Sequence, residues 1–328
     1  MLSRIFYCLS FVLLGAQCVS PTKQHEFDII GAPCSSETDS DRAINGALLA
    51  SRIRTLDELK SVIDIFYFID TISITDSFEL NSKVVLRHCS HGQEVVSELS
   101  SGISQDDIAN ARDGDYGDQF ALVITAPYAV ANRMDLNKVY TMARWKPNIF
   151  GEGDVAFYDL AKQSVGNIST PDRAYLNERD SSEKGYVNSF NHITGQAIVT
   201  TCFSEEMADF IADVHELHNM SELTSGNFSI TQLNDLDNNP VDNYVDMINN
   251  EWGQELGKKL KVKYSITNKT EWTPELLTNY LNDIQSYYSW AFRIGFRPFT
   301  TDDDVIKKFS NKINQVLGGV IPIEKSTT

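Results

Sequence analysis

Three polar fragments at helical spacing constrain this chain more than any other feature. They are Asn188-Ser-Phe-Asn-His192, His215-Glu216-Leu-His218-Asn219 and Asp246-Met-Ile-Asn249-Asn250-Glu-Trp-Gly253. Each lies in a stretch whose apolar residues recur with the period of an amphipathic helix. Each places its polar groups on one stripe, at i,i+4 for 188/192, at i,i+3,i+4 for 215/218/219, and at i,i+3,i+4,i+7 for 246/249/250/253. Polar stripes bordered by aliphatic residues predict three helices that share a buried polar centre.

Length and charge narrow the setting. A chain of 328 residues buries a substantial core. Its 45 acidic and 28 basic residues leave a formal charge of −17, dispersed along the sequence with no acidic tail. A field of that sign repels phosphate backbones, which argues against a nucleic-acid partner.

Residues 1–20 have the composition of a secretory signal: Arg4 near the start, an apolar stretch from Ile5 to Ala16, and small residues near Cys18 and Ser20. The apolar stretch is too short for a comfortable membrane span, and no later run approaches the ~20 residues a span needs, so stable membrane insertion is not expected. The expected location is secreted or extracytoplasmic. Beyond that leader only Cys34, Cys89 and Cys202 remain, enough for one internal disulfide and not for a disulfide framework.

Residues 21–43 read as a polar linker, 44–150 as a mostly helical region of unassigned role, and 151–328 as a helical domain carrying the polar site. Within the middle region, 44–71 is periodic and mostly helical, with a capping-box match at Thr55 and Glu58. The runs Phe66-Tyr-Phe-Ile69 and Ile72-Ser-Ile-Thr75 are also compatible with a strand, and a short hairpin is expected around Lys83-Val-Val-Leu86. Ser104 opens a further helix that the Asp113–Asp118 stretch breaks, and another runs from about Gln119 until Pro127 interrupts it. From Asp154 onward the pattern is helix after helix, over 154–165, 187–200, 204–219, 241–260, 274–293 and 302–317. Ser204, Thr273 with Pro274, and Thr301 serve as start signals. Loop 221–240 separates two of the polar helices and is placed to cover their centre. The predicted fold class is mainly α, a multi-helix bundle with a small β element in the N-terminal half.

The chemistry of the stripes follows from residue type. His192, His215 and His218 can ligate a divalent metal or move protons near neutral pH. Glu216 and Asp246 are candidate bases or ligands. The expected metal set is therefore His192, His215, His218 and Asp246. The amides of Asn188, Asn249 and Asn250 both donate and accept, which suits orienting a substrate or fixing a histidine tautomer. Gly253, one turn past Asn249, lets a neighbouring helix or ligand approach closely. The competing reading is a buried hydrogen-bond network that only fixes helix register.

Taken together, Asn188 and His192 followed by Ala197, then His215-Glu216, then Asp246, Asn249, Asn250 and Gly253 resemble an uncharacterised, largely bacterial family known as domain of unknown function 6973. The resemblance spans roughly residues 120–260. It departs from the family at Asn191, where a basic residue is usual, and at Met247-Ile248, which replace a more polar pair. It implies a functional site at these residues and names no reaction.

Other signals are weaker. His215-Glu-Leu-His218 is one residue short of the zinc-protease motif HExxH. Asp235-Leu-Asp237-Asn-Asn239-Pro240 opens like a calcium loop but carries proline where the turn needs glycine. His88-Cys89-Ser-His91 reads either as local structure or as a thiol, Cys89, that pairs with Cys34. Trp290, Phe292, Phe296 and Phe299 near Tyr287-Tyr288 read as core.

Two functions remain open. One is a secreted hydrolase-like enzyme in which His192, His215, Glu216 and Asp246 are catalytic and Asn188, Asn249 and Asn250 bind a small-molecule, peptide or glycan substrate, with a divalent metal (zinc or calcium) as the cofactor class. The other is a secreted, non-catalytic binding or interaction module built on a structural polar network.

Overall fold

The computed structural model describes residues 46–74, 77–217, 220–234 and 240–319. Within them the chain is mainly helical, with a three-stranded antiparallel sheet in the N-terminal half. Helices of eight residues or more are α1 (Gln105–Asp113), α2 (Tyr116–Thr125), α3 (Arg133–Ala143), α4 (Phe157–Gly166), α5 (Tyr186–Cys202), α6 (Glu205–Glu216), α7 (Pro240–Lys263), α8 (Pro274–Phe292) and α9 (Asp304–Leu317). The expected leader, the linker and Cys34 lie outside the described residues, as do His218, Asn219 and all of the calcium-like stretch before Pro240.

The region expected to be helical through residue 71 is corrected. Only Leu56–Lys60 forms an α-helix there, started by Thr55, whose hydroxyl accepts from the Glu58 N–H at 3.2 Å. Glu58 reaches back one residue further than a capping box requires and accepts from the Arg54 N–H at 2.7 Å. The chain then extends into β1 (Asp64–Ile74), which pairs with β2 (Ser77–Ser90) from Asp64 opposite Arg87 to Ile74 opposite Ser77. The helical periodicity of Leu59, Val62, Ile63 and Phe66 is overridden because the β-branched and aromatic run that follows has a full-length partner strand.

The hairpin expected around Lys83–Leu86 is likewise displaced. Those residues lie within β2, and the tight turn to β3 (Gln93–Ser100) is His91-Gly92, with φ of 49° and 73°. Two successive positive φ values suit the right-handed twist of paired strands, and glycine carries the second without strain. Along β3, Val95, Ser97 and Leu99 are buried and alternate with more exposed neighbours. Cys89 on β2 is disulfide-bonded.

The helical half follows its start signals. Ser204 accepts from the Met207 N–H, and Thr273 accepts from the Leu276 N–H with Pro274 in the first turn. For α9 the cap is Asp303 rather than Thr301, because the Asp303 carboxylate holds the Thr300 N–H and hydroxyl in the preceding turn. The aromatic run of α8 enters the core only in part: the Tyr288 ring stacks on Phe190 with centroids 3.9 Å apart and Phe292 is buried, whereas Trp290, expected in the core, is 41% exposed.

Helix α7 organises the interior. Tyr244, Val245, Ile248 and Trp252 pack in a core cluster with Val84, Leu86, Val95 and Leu99 of the sheet. Trp252 donates its indole N–H to His88 Nδ1 at 2.9 Å, and burial pushes the His88 imidazole down to about 4, so it stays neutral and can accept. The face toward α5 is built differently. A Cβ placed on Gly253 would lie 2.7 Å from the Ile193 carbonyl oxygen, and one on Gly257 would lie 2.6 Å from that of Ala197. Backbone meets backbone there, and no side chain can yield.

The described part of loop 221–240 docks on the sheet. The Tyr67 hydroxyl donates to the Glu222 carbonyl, and the buried Glu222 carboxylate accepts from Tyr244 at 3.0 Å and Gln232 at 2.5 Å. Among the described residues no helix is long and apolar enough to cross a membrane.

Glycine contacts of this kind give a prediction whose sign opposes helix propensity. Gly→Ala in a helix interior is intrinsically favourable by about 1 kcal/mol, yet Gly253→Ala and Gly257→Ala are expected to destabilise by about 1–3 kcal/mol through overpacking. Gly166→Ala, where an added Cβ meets nothing within 4 Å, is expected to be neutral or stabilising. Urea denaturation of the three variants checks the pattern, and equal effects at all three positions would contradict it.

Candidate functional site

The close approach of α5 and α7 sets Asn188 and His192 of one helix against Asp246 and Asn250 of the other. Their polar positions share an i,i+4 step, so each pair faces its counterpart one turn apart. Asn188 Nδ2 donates to both oxygens of Asp246, at 2.9 and 3.1 Å. His192 Nδ1 lies 2.9 Å from Asn250 Oδ1 and Nε2 lies 3.3 Å from Asp246 Oδ2. With the carbonyl oxygen of Asn250 as the acceptor, Nδ1 carries a proton, and Nε2 is the nitrogen turned toward the carboxylate.

Helix α6 supplies the third component from its last turn. Glu216 is 4% exposed, and its Oε1 is buried without a hydrogen-bond partner among the described residues. His192, Glu216 and Asp246 each offer one ligating atom, and these atoms all lie within 4.8 Å of one another. A cation bound at about 2.0–2.5 Å spans at most about 4–5 Å between opposite donors, so the three fit around one ion.

Two buried carboxyls this close cannot both ionise cheaply. Burial pushes the Glu216 carboxyl up to about 8, with the neighbouring Asp246 adding to the shift. Burial also raises Asp246 well above the usual carboxylate range, Asp242 raises it further, and the Asn188 amide and Lys184 act in the opposite direction. A proton held at the centre, or a divalent cation in its place, relieves this repulsion.

The sequence-derived residues divide. His192, Glu216, Asp246, Asn188 and Asn250 come together. His215 is exposed at the edge, its ring centroid 6.4 Å from that of His192 and its Nδ1 3.1 Å from Gln105 Oε1 at the start of α1. His218 lies outside the described residues. Asn249, expected to bind substrate, instead clamps the backbone of Leu48. Its Oδ1 accepts from the Leu48 N–H and its Nδ2 donates to the Leu48 carbonyl, both at 2.9 Å. Ser189 donates to the same carbonyl at 2.9 Å. On a helix Asn249 points about 100° away from Asn250, which explains why adjacent asparagines do different work.

Two residues were missed. Asp242 lies one turn before Asp246, so extending the 246/250 stripe backwards by four would have found it. Lys184, whose ammonium lies 2.7 Å from Asp242 Oδ2, sits in the loop before α5 and gives no periodic signal. Cys202, in the last turn of α5, is half-buried and its thiol is pushed upward by desolvation, which makes it a poor nucleophile.

No family model, curated protein or solved structure matches this chain.

The raised carboxyls fix a pH dependence. Both groups keep their proton to higher pH in the folded than in the unfolded chain, so the folded state binds more protons between the two ranges. Stability of the metal-free protein therefore falls as pH rises from about 4.5 toward 8. Glu216→Gln removes the Glu216 part of that loss, on the order of a few kcal/mol by pH 8. Urea midpoints measured across this range in a chelator check it, and parallel curves for wild type and variant would contradict it.

Proposed function

We propose that this chain is a secreted, hydrolase-like enzyme that works with a divalent cation held by His192 Nε2, Glu216 and Asp246. The observation that carries the reading is the buried Glu216 Oε1, unpartnered among the described residues and within ligating distance of the other two donors. Three protein ligands would leave room for water and substrate, and a divalent cation held there would supply the Lewis acidity that activates water. A nitrogen donor beside two carboxylates favours zinc over calcium, which takes oxygen ligands.

The other residues take supporting roles. Asn250 holds the His192 tautomer that presents Nε2, and Asn188 holds the Asp246 carboxylate. Lys184 offsets the charge of Asp242 beside them. His215, exposed at the rim, is proposed to protonate a leaving group. The disulfide-bonded state of Cys89 supports an oxidising compartment and hence secretion. The chain is further proposed to be a divergent member of the family domain of unknown function 6973, on the residues quoted above.

A second reading, a non-catalytic binding module, is favoured by one observation. Asn249, on the same polar stretch, fixes the Leu48 backbone and so serves structure.

Metal content by mass spectrometry separates the two. Untagged protein (residues 21–328) is expected to carry one stoichiometric divalent metal that His192→Ala loses. Asn250→Ala should weaken metal affinity by about 10–100-fold. A metal-free wild type that gains none on dialysis against zinc, with His192→Ala melting well below it, would favour the structural network.

A further inference from the structure

A cavity of about 510 Å³ lies among the segment 48–62, the turn at Leu176-Asn177 and the end of α8. Its walls include Leu48, Ile53, Val62 and Phe292, and three arginines line it: Arg52, Arg54 and Arg293. In a chain with 45 acidic and 28 basic residues, three guanidinium groups around one cavity run against the overall charge.

The polar groups divide into those already engaged and those with capacity left. Ser51 donates to Asp180 at 2.6 Å, Ser61 donates to the Glu58 carbonyl at 2.6 Å, the Glu58 carboxylate holds the Arg54 N–H, and the Asn177 side chain caps Arg179. Arg52 is fixed at one edge, its Nη2 donating to the Ala174 carbonyl and to Tyr186, with Nε and Nη2 both near the buried Asp180 carboxylate. Its Nη1 makes no hydrogen bond among the described residues, nor do the side chains of Arg54 and Arg293. Arg52 is thus pre-oriented by Asp180, and three sets of N–H donors remain for an acceptor from outside.

Arg293 carries a further mark. It follows the last residue of α8 with φ 55° and ψ 36°, the left-handed position that glycine usually fills at a helix C-terminus. An arginine there is strained relative to glycine, and its side chain lines the cavity.

We infer that this cavity is a binding site for an organic anion with an apolar body. A carboxylate-class head is taken by Arg52, Arg54 and Arg293, and an acyl or ring portion lies against Leu48, Ile53 and Phe292. Planar guanidinium forks match a carboxylate, and a cavity of this size with mostly apolar walls suits a small organic ligand. The site is separate from the centre at His192, Glu216 and Asp246, and shares none of those residues.

Calorimetric titration with octanoate, and with 1-octanol as the neutral match, tests the assignment on the full chain. Wild type is expected to bind octanoate saturably and at least tenfold more tightly than octanol, with affinity falling as salt rises. The double variant Arg54→Gln/Arg293→Gly should lose at least tenfold in octanoate affinity while its Tm holds or rises, since glycine relaxes the left-handed position. His192→Ala should bind octanoate as wild type does. No saturable octanoate binding, equal affinity for octanol, or an unchanged affinity in the folded double variant would each overturn the assignment.

Discussion

The approach of helices α5 and α7 at Gly253 and Gly257 is the constraint on which the rest of the structure depends. With backbone nearly touching backbone at Ile193 and Ala197, the two helices have a single axial register. That register puts Asn188 opposite Asp246 and His192 opposite Asn250. A side chain at either glycine would separate the helices and lengthen every hydrogen bond of the polar centre together. The sheet reinforces the arrangement from behind, since Trp252 reaches His88 from the other face of α7. Helix α7 is therefore buried on both sides despite its many polar residues, and its Asp and Asn side chains must find partners inside the protein.

Burial gives the centre its chemistry. In water, Glu216 and Asp246 would be ordinary carboxylates and their proximity would matter little. Enclosed between helices, they favour protonation, and each proton is one that a cation can replace. The asparagines add the finer control. Asn250 decides which imidazole nitrogen faces inward, and Asn188 fixes both Asp246 oxygens. Asn249 carries the same regularity outward, tying the backbone at Leu48 to α7, so the segment that lines the arginine cavity is anchored to the helix that carries the polar centre.

Much of this was legible in the sequence because helical spacing is a local property. The stripes at 188/192 and 246/250 are visible without any knowledge of how the helices pack, and Glu216 follows from its place beside His215 on an amphipathic pattern. Asp242 was equally available, one further turn along the same stripe. What spacing could not convey was direction relative to neighbours. Asn249 and Asn250 are adjacent in sequence and look equivalent, yet one turns to Leu48 and the other to His192. The sheet was harder to read, because the apolar residues from Leu59 to Phe66 satisfy a helical period and only the pairing with Ser77–Ser90 decides otherwise. Lys184 and Arg293 lie in a loop and at a helix end, where no periodicity marks them.

The claim that the centre exchanges a proton for a divalent cation is tested most directly by counting protons. Zinc binding to the metal-free protein, followed by calorimetry at pH 7 in buffers of different ionisation enthalpy, reports the protons released per ion. The account predicts saturable binding with release of about one to two protons, since both carboxyls give theirs up, and a smaller release with weaker binding in Glu216→Gln. Absence of binding, or equal affinity and proton release in wild type and Glu216→Gln, would contradict it.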